Sequence, residues 1–282
     1  MKGLEGLGTH DFYPESPSVE LEHVLDAIDF DKMHELYKEK IMRCGVDPEV
    51  MGFAARKDIK GAQASLFKRG VIAVSSNEWG IILVPNSKEE IANYEATVLG
   101  AIFHEETHRA SHTTHGNIVF DEQSSGYERA RIDVLTLRRT FGMFNEGVTD
   151  MIAEEMFDEY TRRYGVDLDN LPSKLKYKQR YTVGRRIVSF VCERVAKGCG
   201  LSRDVVWRGI QRGYFEGLDL AHGEGRTLLE ETFSPHLASL LESSNEPNDM
   251  DTRALDLRAT VDDFSDNLKE RWTRFLGKGM SA

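Results

Sequence analysis

The sequence has few cysteines, few prolines and no long apolar run. The three cysteines are an odd number without CxxC spacing, so they predict neither a disulfide framework nor a structural zinc knuckle. No stretch approaches the length of a transmembrane helix, and the N-terminal residues lack the apolar core of a secretory signal. We therefore expect cytoplasmic residence and no membrane partner.

Positive side chains are outnumbered by negative ones. The chain has 36 Lys and Arg against 47 Asp and Glu, which gives a formal net charge of -11. Nucleic-acid binding requires a basic surface, and no basic stripe interleaved with aromatic residues occurs here, so we expect no nucleic-acid partner. With 282 residues and 40% hydrophobic content, the chain is long enough for one large core or two lobes.

The most informative segment is His104-Glu105-Glu106-Thr107-His108, an HExxH sequence. Residues four apart lie on one face of a helix, so both imidazoles can bind one zinc ion. Glu105 points away from the face that carries the two histidines. It is placed to take a proton from a zinc-bound water as the water attacks a carbonyl. A capping box at Ser87-Lys88-Glu89-Glu90, followed by helical apolar spacing, predicts that the motif lies deep in a helix.

A third zinc ligand is needed, and Asn145-Glu146-Gly147-Val148-Thr149-Asp150 offers one. On a helix, Glu146 and Asp150 share a face. Glu146 can then bind the metal while Asp150 accepts the second ring N–H of a ligand histidine, a contact that usually fixes its tautomer.

His112 and His115 are the alternative third ligands, because they continue the helical stripe of the HExxH motif. The pattern HExxHxxGxxH would require glycine at Ser111 and histidine at Thr114, and both positions differ. A continuing helix would also carry His112 about 6 Å along the axis from His108. Glu146 is therefore preferred, and the other two histidines are expected at the rim or in solvent.

The two motifs together resemble those of the gluzincin metallopeptidases, the thermolysin-like clan, and especially its small minigluzincin-like members. The resemblance covers roughly residues 62–200, and the spacing between the motifs is longer than in thermolysin itself. It implies Zn2+ bound by three ligands, a general base, and a carboxylate that orients the first histidine. In this sequence those residues are His104, His108 and Glu146 as ligands, Glu105 as base and Asp150 as the orienting carboxylate.

The expected fold is α+β, with a small twisted β-sheet, the HExxH active-site helix and a mainly α-helical C-terminal lobe. Short β-rich runs at 62–67, 71–75 and 80–84 predict the sheet, with a further strand at 118–120. In gluzincins the edge strand of such a sheet binds the substrate backbone, and the resemblance implies the same here. Alternatively, the strands only cover the helices. Helices are expected at 145–164, 182–197 and 202–215. The predicted division is an N-terminal helical segment at 1–61, a catalytic domain at 62–242, and a linker with an amphipathic helix at 243–282.

Peptide hydrolysis also requires a donor for the oxyanion that develops on the attacked carbonyl. Tyr181, at the start of the helix that follows the glutamate helix, resembles the tyrosine of minigluzincins and is the preferred candidate. The alternative donors are Tyr177, His222, His236 and Tyr127. Each of these five side chains is equally well interpreted as a packed or a surface residue.

These features predict a zinc metallopeptidase that hydrolyses a peptide or protein substrate by attack of a zinc-bound water. Aminopeptidases of the clan that this chain resembles carry a GxMEN-like segment for the free amine, and its absence here favours an endopeptidase. The alternative is a catalytically silent zinc-binding regulatory module with a peptidase fold.

The C-terminal segment allows two hypotheses. A linker at 243–251 and an amphipathic helix at 261–276 are expected there, and the helix carries an aromatic stripe that includes Phe264 and Trp272. The helix either restrains the cleft, as terminal segments do in latent small gluzincins, or packs outside the helical lobe.

Overall fold

The structure is a computed structural model. It describes residues 24–48, 59–61, 72–74, 88–117, 120–132, 137–166, 177, 179, 181–244 and 264–277. The helices are α1 (Phe30–Arg43), α2 (Lys88–Ala110), α3 (Gly142–Tyr164), α4 (Thr182–Cys199), α5 (Arg203–Glu216), α6 (Gly223–Phe233), α7 (Pro235–Ser243) and α8 (Asp266–Leu276). The strands are β1 (Ile59–Gly61), β2 (Ile72–Val74), β3 (His112–Asn117), β4 (Phe120–Ser125), β5 (Glu128–Ile132) and β6 (Leu137–Thr140).

The helix ends follow local capping chemistry. Ser202 caps α5 by accepting a hydrogen bond from the backbone N–H of Val205, and left-handed Gly217 ends that helix, as expected. Helix α4 runs past the predicted end at Gly198 and stops at left-handed Gly200 instead. Gly198 lies inside the helix because its missing side chain makes room for the ring of Phe264. The three helices predicted after the HExxH motif are confirmed, with ends shifted by a few residues.

The predicted α+β fold class is wrong, because the described part of the chain is mainly helical. Ahead of α2, the described residues contain a single pair of three-residue strands, β1 and β2, in place of the predicted small twisted sheet. Only β2 matches one of the predicted upstream strands, and it pairs in parallel with β1 instead of forming a hairpin. The predicted runs at 62–67 and 80–84 lie outside the described residues.

The remaining strands follow the HExxH helix as a short antiparallel meander in the order β3-β4-β5-β6. Their sequences, such as HTTHGN and FDEQSS, lack the apolar alternation that would let one face join a core. Helix α2 ends at Ala110, so His112 and His115 belong to β3 and do not continue the helical stripe. The expectation that they extend that stripe is therefore wrong.

Helix α3 is the centre of the core. It packs against α2 on one side and α4 on another, and it buries a side chain in almost every turn. Helix α1 joins the same hydrophobic core, and the hydroxyl of Tyr37 donates to the carbonyl of Phe103 at 2.7 Å. The described part of the predicted N-terminal segment therefore packs directly against the helix that carries the HExxH motif.

Helix α8 packs on the helical lobe, against α4, α5 and α6. The indole N–H of Trp272 donates to the hydroxyl of Thr232 at 2.7 Å, and Leu276 fills the space beside Gly209. The structure thus places this helix as the second of the two hypotheses expects, with its aromatic stripe used for packing. None of the helices in the described part of the chain is both long and apolar enough to cross a bilayer.

The closest approach of α3 and α4 occurs at two glycines, which leads to a stability prediction. A Cβ at Gly147 would overlap the backbone of Gly184, so we expect Gly147→Ala to lower the free energy of unfolding by at least about 2 kcal/mol. Gly100→Ala is the matched control, because a Cβ there meets the Tyr177 ring at an ordinary 3.5 Å. Urea unfolding should find the control within about 1 kcal/mol of wild type. If Gly147→Ala were as stable as wild type, the close contact of α3 with α4 at Gly147 and Gly184 would be contradicted.

Candidate metal centre

Two facing helices bring three potential ligands together. His104 and His108 come from α2, and Glu146 comes from α3. The Nε2 atoms of the two histidines are 3.2 Å apart, and Oε2 of Glu146 lies 3.0 Å from that of His104 and 3.4 Å from that of His108. These three residues form the group of potential metal ligands found in the described part of the chain.

The spacing of the three atoms matches a zinc site. Zinc in a tetrahedral site binds nitrogen and oxygen at about 2.0–2.1 Å, which places neighbouring ligand atoms about 3.3–3.4 Å apart. The observed separations of 3.0, 3.2 and 3.4 Å are close to that edge length. The side chain of His104 is 1% exposed, whereas those of His108 and Glu146 are 16% and 15% exposed. The group is therefore open to solvent on the side of His108 and Glu146.

The other ring nitrogens of both histidines face oxygens of α3. Nδ1 of His104 lies 3.7 Å from Oδ1 of Asp150, which is longer than a normal hydrogen bond but within range of an ion pair. Nδ1 of His108 lies 3.4 Å from the hydroxyl of Thr149. Both rings are therefore oriented with Nε2 towards Glu146 and Nδ1 towards an oxygen acceptor.

Asp150 is fully buried, and several groups hold its charge. Tyr177 donates to Oδ1 at 2.7 Å, and Arg185 donates to Oδ2 at 3.1 Å. Burial raises the pKa of the Asp150 carboxyl, but His104, Tyr177 and Arg185 together hold that pKa below its usual value. Asp150 is therefore a buried anion beside His104, in the position that the sequence predicts.

The charges of the cluster depend on one another. Burial lowers the pKa of His104, but the carboxylates of Asp150 and Glu146 outweigh it and raise that pKa to about 9. Burial likewise raises the pKa of Glu146, whereas the two histidines hold it well below the ordinary value. The two carboxylates thus require a cation between them, and either protons on the imidazoles or a metal ion meets that requirement.

Glu105 is 8% exposed, and among the described residues its Oε2 atom has no hydrogen-bond partner. A buried carboxylate oxygen without a partner is costly, so this oxygen is available to a water or a ligand at the cluster. The neighbouring Glu106 is fully buried and lies 3.3 Å from Nε2 of His34 on α1. The two adjacent glutamates therefore occupy different surroundings, and Glu106 serves the contact between α1 and α2.

Tyr181, the preferred oxyanion donor, lies at the site. Its ring stacks on the imidazole of His104, with centroids 5.0 Å apart and planes inclined by 21°. It is the N-cap residue of α4, and its backbone carbonyl accepts from the N–H of Arg185 at 2.9 Å. The start of α4 therefore carries two residues that contact the cluster.

The alternative donors are placed elsewhere. Tyr177 faces Asp150, and the hydroxyl of Tyr127 donates to the carbonyl of Ile210 at 2.7 Å. His222 is 79% exposed beside Asp219, and His236 is exposed at the start of α7. Of these four residues, only Tyr177 takes part in the site, and it does so through Asp150.

Sequence reasoning missed three residues around the cluster, Thr149, Arg185 and Tyr214. Thr149 had a signal available, since it is one helical turn from Glu146 and precedes Asp150. Arg185 and Tyr214 come from α4 and α5, and their distance along the chain hid them.

Comparison with known protein families, with curated proteins and with solved structures gives no significant match to this chain. The residues and their geometry must therefore support any functional assignment.

The geometry predicts that the purified protein binds close to one zinc ion per chain. His104→Ala, His108→Ala and Glu146→Ala should each lose that ion, because two protein ligands rarely hold zinc in competition with a chelator. Elemental analysis after dialysis against a mild chelator measures the content. His222→Ala, an exposed histidine outside the cluster, is the control and should retain zinc. Full zinc content in Glu146→Ala would disprove the assignment of the third ligand.

Proposed function

We propose that this chain is a zinc-dependent metallopeptidase of the gluzincin type. The observation that carries the proposal is the convergence of Nε2 of His104, Nε2 of His108 and Oε2 of Glu146 at separations of 3.0 to 3.4 Å. The unpartnered buried oxygen of Glu105, in the same helical turn, supports a hydrolytic role over simple metal storage. The paired HExxH and NExxxD motifs supply the link to gluzincins.

Zinc bound by these residues would supply a Lewis acid for a carbonyl oxygen and would lower the pKa of water to near 7. Glu105 accepts a proton from the attacking water at its carboxylate and passes it to the leaving amine. The hydroxyl of Tyr181 donates to the carbonyl oxygen as negative charge develops there. Asp150 holds the ring of His104 with Nδ1 towards its carboxylate, so that Nε2, which faces Glu146, would bind the ion.

The proposed substrate is a peptide or protein, and the proposed mode of cleavage is internal. The absence of a segment like GxMEN favours an endopeptidase, because aminopeptidases of the clan use such a segment to bind the free amine. Cytoplasmic residence is part of the proposal. All three cysteines, Cys44, Cys192 and Cys199, carry free thiols, which is usual in a reducing compartment.

Glu105→Gln tests the reaction itself. The amide cannot accept a proton, so we expect the rate of cleavage of a denatured protein substrate to fall by at least about 100-fold. Zinc content should be unchanged, because Glu105 is not a ligand. Glu106→Gln is the matched control, since Glu106 is the next residue and faces His34. Glu106→Gln should cleave the substrate at the wild-type rate, provided that circular dichroism shows it to be folded. Equal cleavage by Glu105→Gln and wild type would rule out this mechanism, and no cleavage by wild type would favour a binding module.

Tyr181→Phe tests the oxyanion donor. The phenyl ring preserves the stacking on His104, so zinc content and stability should match those of wild type. Removal of one oxyanion donor typically costs about 100-fold or more in kcat, and we expect a loss of that order here. Steady-state kinetics should show the loss in kcat, with KM nearly constant. An unchanged kcat would leave Tyr181 as a packing residue for His104.

A further inference from the structure

The second ligand histidine has its own supporting chain of hydroxyl groups, which the motifs do not reveal. Nδ1 of His108 lies 3.4 Å from the hydroxyl of Thr149, and that hydroxyl lies 2.8 Å from the hydroxyl of Tyr214. Thr149 and Tyr214 are both fully buried. The chain thus joins α2, α3 and α5 within the core.

Counting the hydrogen atoms fixes the direction of these contacts. The single hydroxyl hydrogen of Thr149 points to the carbonyl of Asn145, 2.9 Å away, since a carbonyl can only accept. That carbonyl is closer than Nδ1 of His108, so the hydroxyl oxygen of Thr149 is left to accept. Tyr214 then donates to this oxygen at 2.8 Å, a better distance than the 3.3 Å to its other acceptor, the carbonyl of Thr107. A hydrogen bond between this oxygen and Nδ1 of His108 therefore requires the hydrogen to lie on Nδ1.

We propose that Thr149 is a positioning residue that holds His108 as the Nδ1–H tautomer with Nε2 free to bind the metal. Tyr214 completes the arrangement, because its hydroxyl keeps the oxygen of Thr149 in the accepting orientation. Thr149 does for His108 what Asp150 does for His104, so two adjacent residues of α3 orient the two ligand histidines of α2. The inference rests on the metal site of the proposed function and explains how that site is prepared before the ion binds.

The position of Tyr214 is itself determined by the fold. A Cβ at Gly126, in the turn between β4 and β5, would overlap the ring of Tyr214, and Gly126 has a φ of +57°. The next residue, Tyr127, donates its backbone N–H to the side-chain oxygen of Asn145 at 2.9 Å. This turn therefore packs on Tyr214 and is tied to α3 one turn before Thr149.

The test uses the full chain with Thr149→Val, which keeps the shape and removes the hydroxyl, and Thr149→Ser, which restores it. Thr161→Val is the matched control, because Thr161 lies on the same helix and donates to the carbonyl four residues earlier at 2.9 Å, as Thr149 does. Long-range proton–nitrogen NMR of histidine-labelled, zinc-free protein reports the tautomer of His108, assigned with His108→Ala. Competition with a chromophoric chelator measures the zinc Kd.

We expect His108 of wild type, Thr149→Ser and Thr161→Val to be the Nδ1–H tautomer, with similar zinc Kd values. Thr149→Val should populate the Nε2–H tautomer and raise the zinc Kd by roughly 10–100-fold. The proposal would be overturned if, in Thr149→Val, His108 kept the Nδ1–H tautomer and the zinc Kd equalled that of wild type. If Thr149→Val does not fold, Thr149→Ala compared with Thr149→Ser in the same measurements decides the question.

The tautomer measurement also separates this inference from the proposed function. If wild type binds no zinc but Thr149→Val still changes the tautomer of His108, the metallopeptidase proposal fails and the positioning role stands. If wild type binds zinc and Thr149→Val changes neither quantity, the positioning role fails and the metallopeptidase proposal stands.

Discussion

The structure around the site depends on the pairing of two buried imidazoles on α2 with two carboxylates on α3. His104 and Asp150 are almost completely buried, and Glu146 lies within 3.4 Å of both His104 and His108. An isolated charge at such a depth costs several kcal/mol, whereas a paired one is tolerated. The two helices must therefore keep their register, and the close contact of Gly147 with Gly184 holds α3 against α4 one residue from Glu146.

The groups that support this pairing come from α4, from α5 and from the connection before α4. Arg185 and Tyr181 are contributed by the start of α4, Tyr177 by the connection before it, and Tyr214 by α5. Each contacts a side chain of α2 or α3 that belongs to the cluster. Because the supporting groups are spread over several elements, the geometry of the cluster depends on the packing of α4 and α5 against α2 and α3.

A mainly helical fold changes how a substrate would be bound. The sequence predicted a sheet ahead of α2 whose edge strand would align the substrate backbone. The four-stranded sheet β3-β4-β5-β6 instead follows α2, and the turn at Gly126 contacts Tyr214. In the described part of the chain the strands thus contribute to the rear of the cluster, and the opening lies beside His108 and Glu146.

The sequence by itself identified the candidate ligands and their local geometry. The spacing of His104 and His108, and of Glu146 and Asp150, places each pair on one helix face, because helical periodicity is a local property. The motifs thus identified all of the candidate ligands, and the position of Tyr181 was also anticipated. The polar strand sequences did not reveal the order of the strands, because strand pairing depends on partners distant in the chain.

Only the tertiary structure decided which groups surround Asp150, which hydroxyl faces His108, and which of the two expected positions α8 takes. Arg185, Tyr177 and Tyr214 are far from the motifs in sequence and carry no pattern of their own. They reach the cluster because buried charges and buried hydroxyls must find partners somewhere in the core. Which partners they find is settled by helix packing, and close contacts such as that of Gly147 with Gly184 allow only one arrangement.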